Sequence, residues 1–209
     1  MSTDTNAKIS RRSLLRRTSL LGGGVFLTLN LQRPLALAAM QSDTPLVFSP
    51  RQWQSVASIT ARIIPTDHQP GAREANCVNF IDKALANEDA ESRPDFIAGL
   101  NSLDILCDKR HGKPFSSLAP VQQDNLLQTL DDDTASPWPN SGPAASLFFE
   151  MARVLTIMGF MADPKYGGNT RLSGWRVARY PGPRHHQGGY TPAQMVGEEA
   201  IITLWGEKM

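Results

Sequence analysis

The sequence is short of the residues that build reactive centres. Its 209 residues include two cysteines and four histidines, and neither type falls into a ligand spacing. There is no Cys-x-x-Cys and no Cys-x-x-Cys-His haem attachment, and His68, His111, His185 and His186 make no zinc pattern. Also missing are a Gly-x-Gly-x-x-Gly opening a βαβ unit, a Gly-Lys-Ser or Gly-Lys-Thr phosphate cradle and a Gly-x-Ser-x-Gly elbow. The chain therefore carries no dinucleotide, nucleotide or serine-hydrolase signature of its own. Charge of one sign is lacking too: the net charge is +1, which gives no electrostatic footprint for nucleic acid. The run Asp131-Asp132-Asp133 reads as a solvated loop. Neither repeats nor runs of alternating strands occur, so the fold class is all-α: a small domain of about five helices with long irregular loops.

What is there is helical periodicity with clear punctuation. Ser49-Pro50-Arg51-Gln52 reads as an N-cap, a proline at the first helical position and the glutamine of a capping box. Trp53, Val56, Ala57, Ile63 and Ile64 follow at helical spacing until Pro65 stops them. A polar turn, Thr66 to Gly71, follows; Asp67 is placed to accept its neighbours' amides, and Arg73 and Glu74 stand where the next helix should begin. That second helix has Val78, Ile81 and Leu85 as its stripe, with Cys77 on or beside it. A third opens at Ser92-x-x-Asp95, places Phe96, Leu100, Leu103 and Cys107 on one face and stops at Gly112. A fourth starts near Pro120 with Val121, Leu126, Leu127 and Leu130, and a loop containing Trp138 follows, its ring either an interface anchor or folded back on the core. In the fifth helix Leu147, Met151, Val154, Leu155 and Met158 repeat as one stripe, either core or an adaptable methionine-rich groove. The end of the chain, Val196 to Trp205, reads as a short helix or strand, or as an arm laid on a partner.

The first forty residues stand apart. Arg11 and Arg12 precede an uncharged apolar segment, Leu20 to Leu31, and Ala36-Leu37-Ala38 supplies a small-x-small cleavage pattern. This reads as a cleavable twin-arginine export signal over residues 1–38, leaving a domain over 39–209 and a periplasmic location. The competing reading, a membrane anchor, needs about 20 apolar residues, and Asn30, Gln32 and Arg33 interrupt the segment early. The twin-arginine route moves folded proteins, which matters most when a cofactor is inserted before export. With no cofactor motif here, the cofactor is expected on a partner. In an oxidising compartment Cys77 and Cys107 could bridge, closing a loop of about 30 residues worth roughly 3 kcal/mol. They could equally stay as buried thiols or bond to a partner.

Gly159 to Arg184 departs from helical periodicity. Asp163 and Pro164 end the preceding helix, Gly167, Gly168 and Asn169 tolerate positive φ, and Tyr166, Trp175 and Tyr180 surround the turn. These rings either close the end of a helical bundle or shape a surface against something else. Asp163-Pro164-x-Tyr166-Gly167-Gly168-Asn169, Gly174-Trp175 and Tyr180-Pro181-Gly182-Pro183 resemble subunit 3 of the membrane-bound gluconate 2-dehydrogenase family. An earlier block resembles the same family, in the right order: Arg62-Ile63-Ile64-Pro65-x-Asp67, Pro70-Gly71-Ala72-Arg73-Glu74-Ala75 and Phe80-Ile81-Asp82.

The resemblance implies a non-catalytic small subunit with no cofactor of its own. Its partners would be a large FAD-containing dehydrogenase subunit, a membrane-associated cytochrome c subunit carrying haem c, and the twin-arginine translocase. It would associate with the periplasmic face of the inner membrane through its complex. Asp163, Tyr166, Gly167, Gly168, Asn169, Trp175 and Tyr180 are then expected to shape the partner-facing loop, with Arg62, Pro65, Asp67, Gly71 and Arg73 as the structural motif of the first turn. Two alternatives remain: an export chaperone that leaves the mature complex, and a free-standing enzyme using Asp67, His68, Asp163 and Tyr166 as acid-base groups in one pocket.

Overall fold

Ser49 begins the first helix as the sequence requires: its hydroxyl accepts the Gln52 amide, and the Gln52 side chain accepts the Ser49 amide at 2.9 Å. The computed structural model describes residues 44–183 and 189–209. Arg11, Arg12, the apolar segment, the cleavage pattern and the pair His185-His186 lie outside the described residues. Seven α-helices are present among them. They are α1 Pro50–Ile63, α2 Cys77–Ala86, α3 Arg93–His111, α4 Pro120–Asp131, α5 Ala145–Met161, α6 Ser173–Ala178 and α7 Pro192–Val196. Short 3-10 turns lie at Phe115–Ser117, Pro164–Tyr166 and Thr170–Leu172, and the only bridge among the described residues pairs Ile202 with Lys208. The all-α expectation holds. No described helix is long and apolar enough to cross a membrane.

α5 is the central element, packed against α1, α2, α3 and α4. Its buried positions are Ala145, Phe148, Phe149, Ala152, Leu155, Thr156, Gly159 and Phe160. The stripe expected from the sequence is therefore corrected: of its members only Leu155 is buried, Leu147 is exposed, and Met151, Val154 and Met158 are half-buried. The reason is close packing. A helix surrounded by four others turns its small residues toward the nearest neighbours, and Gly159 gives room to Phe80 of α2. Likewise Gly99 on α3 leaves the space that the Phe148 ring occupies, and Phe148 meets Phe96 edge-on at 5.5 Å. Trp138 folds back on this core, its ring 6.1 Å from Phe148 and its indole N–H donating to Pro143 at 2.9 Å.

Polar ties fix the outer helices. Arg62 on α1 grips Asp124 on α4 with two hydrogen bonds of 2.6 and 2.7 Å, and Arg51 meets Asp104 on α3 at 3.0 Å. α2 begins at Cys77, later than expected: Arg73 and Glu74 belong to a turn, and Asn76 enters the helix from a left-handed conformation. Val121, expected on the apolar face of α4, is exposed, whereas Leu126, Leu127 and Leu130 are buried.

The bridge weighed between Cys77 and Cys107 is absent; both are buried free thiols. Each belongs to a different part of the core. Cys77 packs with Ala72, Ala75 and Phe160, whereas Cys107 lies near the charges of Asp104, Arg51 and Arg110.

Candidate functional site

The last turn of any helix leaves carbonyls without intrahelical partners. At the end of α5 the segment that follows supplies those partners. Asn169 is fully buried and uses three groups at once. Its amide donates to the Gly159 carbonyl at 2.8 Å, its side-chain NH2 donates to Ala162 at 2.8 Å, and its side-chain oxygen accepts the Gly174 amide at 2.8 Å. Trp175, 3% exposed, donates its indole N–H to the Met161 carbonyl at 2.7 Å. Its ring meets Tyr180 edge-on at 5.1 Å, and the Tyr180 amide returns to the Trp175 carbonyl at 2.8 Å. The segment thus caps the central helix with side chains.

The glycines follow from the same closeness. A Cβ on Gly168 would fall on the Gly159 carbonyl, and one on Gly174 would fall on that of Phe160. Gly167, at φ +92, closes the Pro164–Tyr166 turn, and its carbonyl accepts from Asn79 of α2 at 2.7 Å. Asp163 is buried; one carboxylate oxygen accepts the Lys165 amide at 3.1 Å and the other the Leu204 amide at 2.9 Å. Tyr166 is half-buried, and burial raises its phenol above the ordinary range, helped by the negative charges of Glu88 and Asp163. Tyr180 is raised for the same leading reason, with Tyr190 adding to it.

The earlier block meets this loop. Thr170 donates its amide to Ala75 at 3.2 Å, and Ile64 and Val177 pack on the cluster of Ala72, Ala75, Cys77 and Phe160. Within the block, Pro65 follows α1, and a Cβ on Gly71 would collide with the backbone from Ile64 to Thr66. Asp67 accepts the Gln69 amide at 2.8 Å, as expected of it. Glu74 is the acid that closes the turn: it accepts the Thr66 hydroxyl at 2.5 Å and the Gly71 amide at 2.8 Å. The Thr66 hydrogen bond foremost holds its carboxyl below the usual range, against a smaller opposing effect of burial. Arg73 is exposed and adds its charge beside Glu74.

The seven loop residues thus gather at the end of α5, where the earlier block meets the loop through Ala75 and through the cluster on which Ile64 and Val177 pack, while Arg62 of that block turns to Asp124 on α4. Asp163, Gly168, Asn169 and Trp175 lie inside the loop, and Tyr166, Gly167 and Tyr180 reach its surface partially. Asp67 and His68 are adjacent, 3.3 Å apart, with the imidazole 82% exposed on an open turn. Asp163 is buried and held by amides, and the Tyr166 phenol is pushed toward its neutral form, unsuited to accepting a proton near neutrality. No group of three or more His, Cys, Asp or Glu among the described residues is arranged to hold a metal.

Three features escaped the sequence reading. Asp82 is a buried carboxylate that accepts the successive amides of Leu46, Val47 and Phe48 at 2.6, 3.0 and 2.9 Å. An acid beside the apolar stripe of Val78, Ile81 and Leu85 was the available signal. The arm after α7 folds as a tight turn, with Thr203 donating to Glu207 at 2.9 Å and Gly206 to Thr203 at 3.0 Å, and it lies on Asp163 and Lys165. The Lys165 ammonium stands 3.3 Å from the centre of the Trp205 ring. Finally, Arg171, Leu172 and Arg179 are left-handed without being glycine.

Comparison with known proteins adds one match. No curated protein and no solved structure matches the chain. The family model described as gluconate 2-dehydrogenase subunit 3 matches residues 50–182, an interval that takes in the earlier block, the later block as far as Gly182 and the residues that cap α5. The chain belongs to the gluconate 2-dehydrogenase subunit 3 family.

Proposed function

We propose that this chain is the non-catalytic small subunit of a periplasmic, FAD-dependent dehydrogenase complex of the gluconate 2-dehydrogenase type. It binds the large flavoprotein subunit, stabilises it and carries it through the twin-arginine route, while a cytochrome c subunit takes the electrons onward. Family membership supports partner subunits in general. The single observation that carries the finer reading is the use made of the family residues. Asn169, Trp175, Gly168 and Gly174 cap the central helix and hold a fixed surface in place, with their polar groups consumed internally. Asp67, His68, Asp163 and Tyr166 are divided between an open turn and a buried loop, which disfavours the acid-base reading. A rigid shape presented to another protein is the use such a construction supports.

The test is capture of the tagged full-length chain from periplasm under native conditions, followed by measurement of flavin, haem and dye-linked gluconate oxidation. Recovery of a flavoprotein with that activity in constant ratio to the chain is expected. A colourless chain recovered alone would overturn the subunit reading, and a chain bound to the flavoprotein only before export would make it a chaperone.

A further inference from the structure

The charge of this chain is distributed unevenly in a way its net value conceals. From Pro164 to Gly197 the sequence contains no Asp or Glu, while Lys165, Arg171, Arg176, Arg179 and Arg184 all fall there. The rest of the chain has more acids than Lys and Arg. Arg171, Arg176 and Arg179 are exposed on the segment running through α6, and among the described residues none of them forms an ion pair or side-chain hydrogen bond. Arg51, Arg62 and Arg153, by contrast, are paired with carboxylates. Arg73 is also exposed, on the turn whose Ala72 and Ala75 belong to the cluster on which Val177 of α6 packs.

The backbone adds an independent observation. Arg171 (φ +56) and Arg179 (φ +54) are left-handed, as is the fully buried Leu172 at φ +58. For residues with a Cβ this conformation costs on the order of 1–2 kcal/mol each. Glycine would relieve it, and the chain uses glycine for that purpose at Gly112, Gly167, Gly182, Gly197 and Gly206. Two guanidinium groups are therefore kept at positions where the fold alone would favour glycine. Strain retained in this manner points to use of the side chain.

We infer that Arg73, Arg171, Arg176 and Arg179 form the docking face of this subunit, and that its occupant is a carboxylate-rich patch on the FAD-containing subunit. The inference rests on the subunit reading above. Arginine on a stiff backbone suits discrete, bidentate pairing with carboxylates. An anionic lipid surface attracts Lys and Arg alike through a diffuse field and gains nothing from a fixed backbone, so the protein surface is the better fit.

The experiment uses the full-length chain co-expressed with the flavoprotein and captured through a tag, with FAD released by stepwise NaCl as the readout. Arg171→Gly and Arg179→Gly together should leave the melting temperature unchanged or higher. The same pair should weaken flavoprotein retention on the order of tenfold and lower the eluting salt. Adding Arg176→Glu should weaken it further. Flotation with phosphatidylglycerol–phosphatidylcholine vesicles serves as the second arm. Unchanged retention and salt response in the variants would overturn the docking face, as would loss of vesicle binding with the flavoprotein still held. Absence of flavoprotein from the wild-type capture would instead strike the subunit reading itself, so the two failures are read in different samples.

Discussion

Asp163 accepts the backbone amide of Leu204 at 2.9 Å across 41 positions of sequence, and this hydrogen bond ties the C-terminal arm to the family loop. The other oxygen of the same carboxylate holds the Lys165 amide, which starts the turn whose lysine lies over Trp205. Loop and arm are thus joined through one buried side chain. Asp163→Asn keeps the shape but leaves one acceptor oxygen for two amides. A loss of about 1–3 kcal/mol is expected. Hydrogen exchange at Leu204 and Trp205 should speed up on the order of tenfold, since roughly 1.4 kcal/mol of local opening corresponds to that factor, while the helical circular dichroism is retained. Unchanged exchange in the arm would show that its position does not depend on Asp163.

Capping of α5 makes a second prediction. Asn169→Ala removes an acceptor for the Gly174 amide and a donor to Ala162 in a site with no exposure. One buried and one part-buried group are left without partners, a cost of about 2–5 kcal/mol. Gly174→Ala places a methyl against the Phe160 carbonyl, which is backbone and cannot swing aside. That overpacking should cost about 1–3 kcal/mol or more. Urea unfolding of the two variants measures both. A midpoint equal to wild type for either would mean that the cap does not stabilise the domain.

These residues explain what could be read in advance. The first helix was legible because its signals are local: Ser49, Pro50 and Gln52 fix its start within four residues, and Pro65 limits its end. The order and identity of the two blocks around Asp67 and Asn169 were legible as words. Their joint role was not, because the Asn169 hydrogen bonds to Gly159 and Ala162 depend on the chain reversing direction after α5. The buried face of α5 was misjudged for a related reason. Leu147, Met151, Val154 and Met158 make as regular a stripe as Ala145, Phe148, Ala152 and Leu155, and periodicity cannot choose between faces of a helix that is apolar nearly all round. What chose was the room left by Gly99 and Gly159 for Phe148 and Phe80.

The two thiols provide a pH-dependent prediction. Burial pushes both Cys77 and Cys107 up to about 12, with the charge of Asp104 adding to the effect at Cys107. The folded chain therefore holds these protons more tightly than the unfolded chain, whose thiols ionise near 9. Their contribution to stability is complete below about pH 9 and declines as pH rises toward 12. At pH 8, iodoacetamide should leave both thiols unmodified in the native chain and modify both in urea, as mass spectrometry would show. Rapid modification of either in the native state would contradict its burial. Cys77→Ala together with Cys107→Ala should flatten the alkaline loss of stability.

Asp82 makes the most demanding prediction, because its carboxylate is the acceptor for three consecutive amides. Leu46, Val47 and Phe48 converge on it within 3.0 Å, and Phe48 then packs its ring 6.0 Å from Phe96 in the core. The strap before α1 is consequently fixed to α2 before the first helix begins. Asp82→Ala deprives the three amides of their acceptor, two at part-buried positions and one buried, with an expected cost of about 2–4 kcal/mol. Asp82→Asn, with one acceptor oxygen and an NH2 group in place of the other, should recover only part of that. The loss should localise: exchange at residues 46–48 rises far more than exchange in α4, and protease cleaves the strap first. Equal destabilisation throughout the bundle would mean that Asp82 supports α2 generally. An unchanged midpoint with unchanged exchange would mean that Phe48, by packing on Phe96, holds the strap without the carboxylate.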